Sequence, residues 1–132
     1  MFANFLKRIL RRRPLEGRSA EQIGSDGESA AVRFLTRSGL HIVERNWSCR
    51  HGEVDVICRD KDAWVFVEVK ASHRMSVRPP EARVDADKQR RLRRMARFYL
   101  GTGVETSVCR FDVVSVWWEQ GEIRIQHNEN AF

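Results

Sequence analysis

Hydrophobic and polar positions along this chain change period repeatedly, and each change marks an element. From Trp64 to Val69 the strand formers Trp64, Val65, Phe66, Val67 and Val69 surround a single charge, Glu68. The segment before it, Glu53 to Cys58, alternates and puts Glu53, Asp55 and Ile57 on one face. The polar residues 59–63 between them are short enough for a hairpin turn centred on Lys61 and Asp62. Upstream, Ser19-x-x-Gln22 reads as a capping box, and a helix is predicted from about residue 20 to Ser38, stopped by Gly39. Leu40 to Arg45 predicts a first strand, and 46–52 a loop into the second.

Residues 71–81 break all periodicity, which predicts a mobile loop following the charged strand. After Pro79-Pro80 a helix is predicted over about 84–100, with Leu92, Met95, Ala96 and Tyr99 as its buried stripe and Gly101 and Gly103 at its end. Val108 to Trp118 reads as a long strand, 119–121 as a turn, and Glu122 to His127 as the last strand. At the start, Phe2, Phe5, Leu6, Ile9 and Leu10 form a helical stripe, so 2–13 predicts an amphipathic helix, joined by a linker at Pro14 and Gly17. Three strands joined by short turns form an antiparallel meander, and the strand after the second helix can return parallel through a right-handed crossover. The expected class is α/β, a mixed sheet flanked by helices, with residues 1–18 as a basic extension and 19–132 as one domain.

Candidate chemistry follows from the hairpin. With that turn, Arg59 pairs with Trp64, Ile57 with Phe66, Asp55 with Glu68, and Glu53 with Lys70. Opposed Cβ atoms lie about 5 Å apart, so Asp55 and Glu68 repel unless something positive sits between them. A divalent cation does that, and oxygen donors without His or Cys select Mg²⁺ or Mn²⁺. The bland alternative is a strand-end salt bridge of Glu68 with Lys70 or Arg59. Glu28 shares the inward face of the first helix with Val32 and Leu35, and Lys88 lies four residues before Leu92 on the inward stripe of the second. Off that stripe stand Arg90, Arg91, Arg93, Arg94 and Arg97. A solvated face is the default for such a run, but beside a phosphate-type metal site it suits a nucleic-acid backbone.

The formal charge is +6, and residues 1–18 hold +5 of it, six basic residues against Glu16. Phosphate-rich partners or an anionic surface contacted peripherally by the N-terminal helix are therefore expectations of clustering rather than net charge. Three cysteines without zinc spacing indicate reduced thiols and a cytoplasmic protein. No run of apolar residues reaches membrane-span length.

The order Glu28, Gly52-Glu53-x-Asp55, Glu68-x-Lys70 resembles the restriction-endonuclease-like superfamily. More closely, the chain resembles the YraN-like family of small bacterial proteins in its Holliday-junction-resolvase-like branch. The resemblance rests on Gly27-Glu28, Arg45-Asn46-Trp47, Gly52-Glu53-x-Asp55, Phe66-Val67-Glu68-Val69-Lys70, Lys88, Arg110-Phe111-Asp112-Val113-Val114 and Glu129-Asn130-Ala131-Phe132, over roughly residues 24–132. It departs after Lys70, where the family usually continues Thr-Arg and this chain has Ala71-Ser72. The resemblance implies an endonuclease-like core and a metal-dependent DNA endonuclease, with branched or damaged DNA as substrate. Asp55 and Glu68 then hold Mg²⁺ or Mn²⁺ with the Val69 carbonyl, Glu28 assists as a further ligand, and Lys70 orients the attacking water. Glu53 and Lys88 support the site, and Arg50, Arg74, Arg78, Arg90, Arg91 and Arg94 contact DNA. A homodimer is a further expectation. The competing expectation is a binding or interaction module that keeps the fold without cleavage.

Overall fold

A computed structural model describes residues 4–9, 19–74, 84–101 and 108–132. Its strands are β1 (Asn4–Ile9), β2 (His41–Cys49), β3 (Gly52–Asp60), β4 (Ala63–Ser72), β5 (Cys109–Glu119) and β6 (Glu122–Asn128). Its helices are α1 (Ala20–Arg37) and α2 (Ala86–Leu100). The strands form one sheet in the order β1-β6-β5-β4-β3-β2, in which only β4 and β5 run parallel. The expected meander is β2-β3-β4, and α2 carries the chain across to the parallel β5. This is the α/β class and mixed sheet that the pattern predicts.

Alternation along the central strands assigns each helix its face. Val65 and Val67 of β4, with Val114, Val116 and Trp118 of β5, pack against Ile23, Ala30, Ala31, Phe34 and Leu35 of α1. Phe66, Phe111 and Val113 point the other way, into Leu92, Met95 and Ala96 of α2. Each Val, Leu, Ile, Phe or Met among them, when fully buried, contributes about 1.5–3 kcal/mol. The ends of the helices obey their local sequence. Ser19 accepts from the Gln22 N–H while the Gln22 side chain accepts from the Ser19 N–H, and Asp85 caps α2 through the Lys88 N–H. Gly101 closes α2 at φ 77°.

Two elements differ from the sequence pattern. Residues 4–9 are a strand, not part of a helix, and pair antiparallel with β6 from Asn4↔Asn128 to Ile9↔Ile123. A helix of about a dozen residues is marginal alone, whereas an edge strand offers a row of unpaired backbone groups, so pairing wins. The second difference is the expected loop 46–52, most of which is strand: β2 runs on to Cys49 and leaves only Arg50 and His51 as the turn. A register shift between Ile42 and Glu44 and a left-handed Asn46 (φ 52°) hide its alternation from a reading of period. The expected loop over 71–81 begins as the last residues of β4, and its residues 75–81 lie outside the described ones, as do residues 2, 3 and 10–13 of the expected N-terminal helix and most of the linker after it.

Among the described residues, no helix is long and apolar enough to cross a membrane. Cys49, Cys58 and Cys109 are free thiols. Burial, reinforced by Asp112, pushes Cys58 up to about 12, which leaves it an unreactive core residue.

Candidate metal centre

The β3–β4 ladder follows the predicted register from Asp60↔Ala63 through Arg59↔Trp64 and Ile57↔Phe66 to Val56↔Val67, and there it stops. Beyond that point β3 stays paired with β2 as far as Gly52, and β4 stays paired with β5 as far as Ser72. The sheet therefore opens between β3 and β4. The roll is visible in the core: Val56 packs on the α1 side, while Val54, two residues earlier, packs on the α2 side. Two residues that should share a face do not. Asp55 falls at this roll, and its Oδ2 accepts from the Val69 N–H at 2.8 Å, taking the place of a backbone acceptor in the interrupted ladder.

Into this opening α1 brings Glu28. Carboxylate oxygens of Glu28, Glu53 and Asp55 lie within 4.8 Å of one another. The approach depends on Gly27, where an added Cβ would sit 2.4 Å from Ala71 Cβ of β4. Asn46 of β2 joins the group. With its amide nitrogen turned toward the acids, as the hydrogen bonding requires, it donates to Glu53 Oε1 and Glu28 Oε2, each at 3.1 Å.

Glu68 stands on the α2 side of β4 and is only 4% exposed. Its Oε1 is held by Lys88 Nζ at 2.8 Å and Lys70 Nζ at 3.3 Å, whereas its Oε2 is buried without a hydrogen-bond partner. The helical spacing that put Lys88 in line with Leu92 thus delivers its ammonium to Glu68 rather than to Glu28 or Glu53. Burial, then the charge of Glu68 and that of Glu28, push Asp55 up to about 7 against the opposing effects of the Val69 N–H and Lys88. Four acids facing two lysines leave an excess of negative charge.

The residues suit a hard divalent cation. The donors are all carboxylate oxygens, their mutual repulsion is what a cation relieves, and one buried oxygen of Glu68 has nothing to bind. The group nearest to ligand geometry is Glu28, Glu53 and Asp55. Glu68, expected as a ligand, stands beside it in the grip of two lysines. A cleft of about 150 Å³ opens onto the acids and is lined by His51, Gly52, Glu53, Asp55, Lys88, Arg91 and Met95. Gly52, one of the lining residues, has φ 139°, where a side chain would be strained, and an added Cβ would meet Met95 Sδ at 3.4 Å.

The expected DNA-contacting arginines separate on inspection. Arg91 lines the cleft, and Arg94 is exposed on the same helix. Arg90 is not free, because Asp87 one turn earlier pairs with it. Arg50 is exposed in the β2–β3 turn, Arg74 is exposed just past β4, and Arg78 lies outside the described residues. Reading the sequence missed Asn46 as a member of the site and placed His51, which could reach a phosphate, by default in a solvated loop; it lines the cleft. For Asn46 the signal was a residue tolerant of left-handed backbone next to a strand-forming Trp.

The family model of the uncharacterised protein family UPF0102 matches residues 27–116. The chain is similar to a UPF0102 protein of Moorella thermoacetica, 42% identical over 100 residues that cover 75% of this chain and 83% of that one. It is also similar to the UPF0102 protein STH1475 of Symbiobacterium thermophilum, 44% identical over 115 residues, 86% of this chain and 98% of that one. A third relative, the UPF0102 protein RHA1_ro06551 of Rhodococcus jostii, is 42% identical over 112 residues, 83% and 95% of the two chains. The chain belongs to the UPF0102 family.

Proposed function

We propose that this UPF0102 chain is a metal-dependent DNA endonuclease that hydrolyses phosphodiester bonds in branched or damaged DNA. One observation carries the reading: three carboxylates from α1 and β3 converge within 4.8 Å, and two of them, Glu53 and Asp55, line a cleft together with Lys88 and Arg91. A structural salt bridge needs one acid per base, whereas this site gathers more acid than its lysines neutralise. Phosphoryl transfer needs that arrangement, since its barrier falls chiefly through positioning and through charge placed where it develops.

Glu28, Glu53 and Asp55 would hold Mg²⁺ or Mn²⁺, with Asn46 fixing the orientation of the two glutamates. The ion, when bound, supplies positive charge against the phosphate and acidifies water. The chain's own groups do the rest. Asp55 is held by the Val69 N–H and so faces the opening in one orientation. Glu68 positions both ammonium groups. Lys70 orients the attacking water and stabilises charge on the pentacoordinate phosphorus, and Lys88, at the cleft wall, takes a phosphate oxygen. Arg91 and Arg94 attract the flanking backbone.

The test is a panel of linear, flapped, four-way-junction and single-stranded DNA incubated with Mg²⁺, Mn²⁺ or EDTA. The expected result is a product on at least one substrate with Mg²⁺ or Mn²⁺, lost in EDTA and in Glu68→Gln, while binding persists. Binding without a metal-dependent product would assign the chain to the non-catalytic alternative.

A further inference from the structure

We propose that Phe98 on α2 is a stacking platform for an unpaired nucleobase, a few nucleotides from the phosphate held in the cleft; this deepens the nucleic-acid reading above and rests on it. Phe98 is 54% exposed, the most exposed large hydrophobic side chain among the described residues. Solitary surface apolar residues are ordinary, but this ring is built into a support. It leans on Trp47 with centroids 6.3 Å apart and meets the His51 ring edge-on at 5.9 Å. Trp47 in turn is wedged on Tyr99 at 5.1 Å, and Tyr99 on the fully buried Phe66 at 6.0 Å. The exposed ring is thus anchored to the core through a chain of aromatics, so little further freedom is lost when something stacks on it.

Position and charge identify the occupant. Arg91, Arg94 and Phe98 fall at i, i+3 and i+7 and form one stripe along the helix. The stripe begins at the cleft, which Lys88, Arg91 and His51 line, and His51 is the residue shared by cleft and platform. Neither Arg91 nor Arg94 is in an ion pair among the described residues. Two cations followed by an aromatic face match a chain of alternating phosphates and flat rings. A protein partner would need a contiguous apolar patch, and the neighbours of Phe98 on this stripe are charged. Lys88 and Phe98 are separated by about 15 Å along the axis, so the stacked base is not the one at the reacting phosphate. Paired bases inside a duplex offer no free face, which ties the platform to a single-stranded arm, flap or junction.

The experiment uses the full chain in EDTA with forked and blunt DNA carrying 2-aminopurine at one position of the single-stranded arm or of the duplex. Binding is expected to quench the probe in the arm and not in the duplex. Phe98→Leu should abolish the quenching and weaken fork binding roughly 5- to 100-fold while leaving blunt-duplex binding unchanged, and Phe98→Trp should restore both. Equal loss on fork and duplex, or wild-type quenching in Phe98→Leu, would overturn the platform while leaving the nuclease reading intact. A change of oligomeric state in Phe98→Leu would overturn it too, by assigning the ring to self-association. If the wild-type chain binds none of these DNAs, the platform and the reading beneath it fall together.

Discussion

Asp55 concentrates the conflict between stability and chemistry in a single side chain. Its folded pKa of about 7 stands above the ordinary 3.8 because burial and the charges of Glu68 and Glu28 oppose ionisation. Below about pH 4 the group is protonated in both folded and unfolded chains, and between there and 7 the folded chain binds the extra proton. Stability should therefore fall as pH rises through that window. Asp55→Asn removes the penalty and should be more stable than wild type at about pH 8, by roughly 1–3 kcal/mol, with little difference at about pH 4. Thermal melts across the range measure this, and a variant less stable at both ends would contradict it. Mn²⁺ should raise the wild-type melting temperature more at the alkaline end, where no proton has to leave Asp55, and should not raise that of Asp55→Asn.

At the scale of elements, α2 carries two kinds of cation. Lys88 is bound to Glu68 at 2.8 Å, whereas Arg91 and Arg94 face the cleft rim and solvent. Lys88→Ala should depress cleavage far more than binding. Arg91→Ala and Arg94→Ala should each lower the slope of log affinity against log salt by roughly 0.9 per lost phosphate contact, with smaller effects on turnover. Three equal effects would make Lys88 one more member of a basic surface. The β1–β6 pairing gives a prediction opposite to that for a detached N-terminal helix. Deleting residues 1–17 leaves β6 as the sheet edge, with Ile123 and Ile125 in the strand so uncovered. The truncated chain should melt lower and self-associate more readily, read by calorimetry and light scattering. Unchanged melting would show that the pairing adds nothing to the fold.

Across the whole molecule the sheet is locked toward one end and open at the other. Asp112, fully buried and paired with Val67 across the parallel ladder, receives Arg110 Nε at 3.1 Å, the Asn130 N–H at 3.1 Å and His127 Nε2 at 2.8 Å. Arg110 reaches on to Asp60 at 2.7 Å and Glu129 at 3.8 Å, so the end of β3, β5 and the residues after β6 are joined through one guanidinium, while His127 ties β6 to the same Asp112 carboxylate. Phe132 stacks on Phe111 at 5.3 Å, and the Ala131 N–H bonds the Phe111 carbonyl. Asp112→Ala leaves Arg110 and His127 facing an uncompensated buried hole and should cost about 3–5 kcal/mol, measured by urea denaturation. Loss of stability below about 1 kcal/mol would mean the network is not what holds this end. With the turn side of the opening tied in this way, the strands part at the acids without loosening the core.

Local rules along the chain settle much of this protein. The capping box at Ser19, the glycine stop of α2, the Lys61-Asp62 turn and the hairpin register through Ile57↔Phe66 depend on neighbours in the chain, and sequence spacing reports neighbours. The same holds for the inward placement of Glu28 and Lys88, which follows from helical period and an apolar stripe. Other features depend on contacts between distant segments and left no periodic trace. Pairing with β6 made residues 4–9 a strand, because an open edge outweighs the weak preference of a short isolated helix. The end of the β3–β4 ladder at Val56↔Val67 turned Asp55 toward Val69, grouped it with Glu28 and Glu53, and left Glu68 to two lysines. Spacing identified which residues carry charge at the site; the splaying of two strands and the approach of two helices decided which of those charges meet.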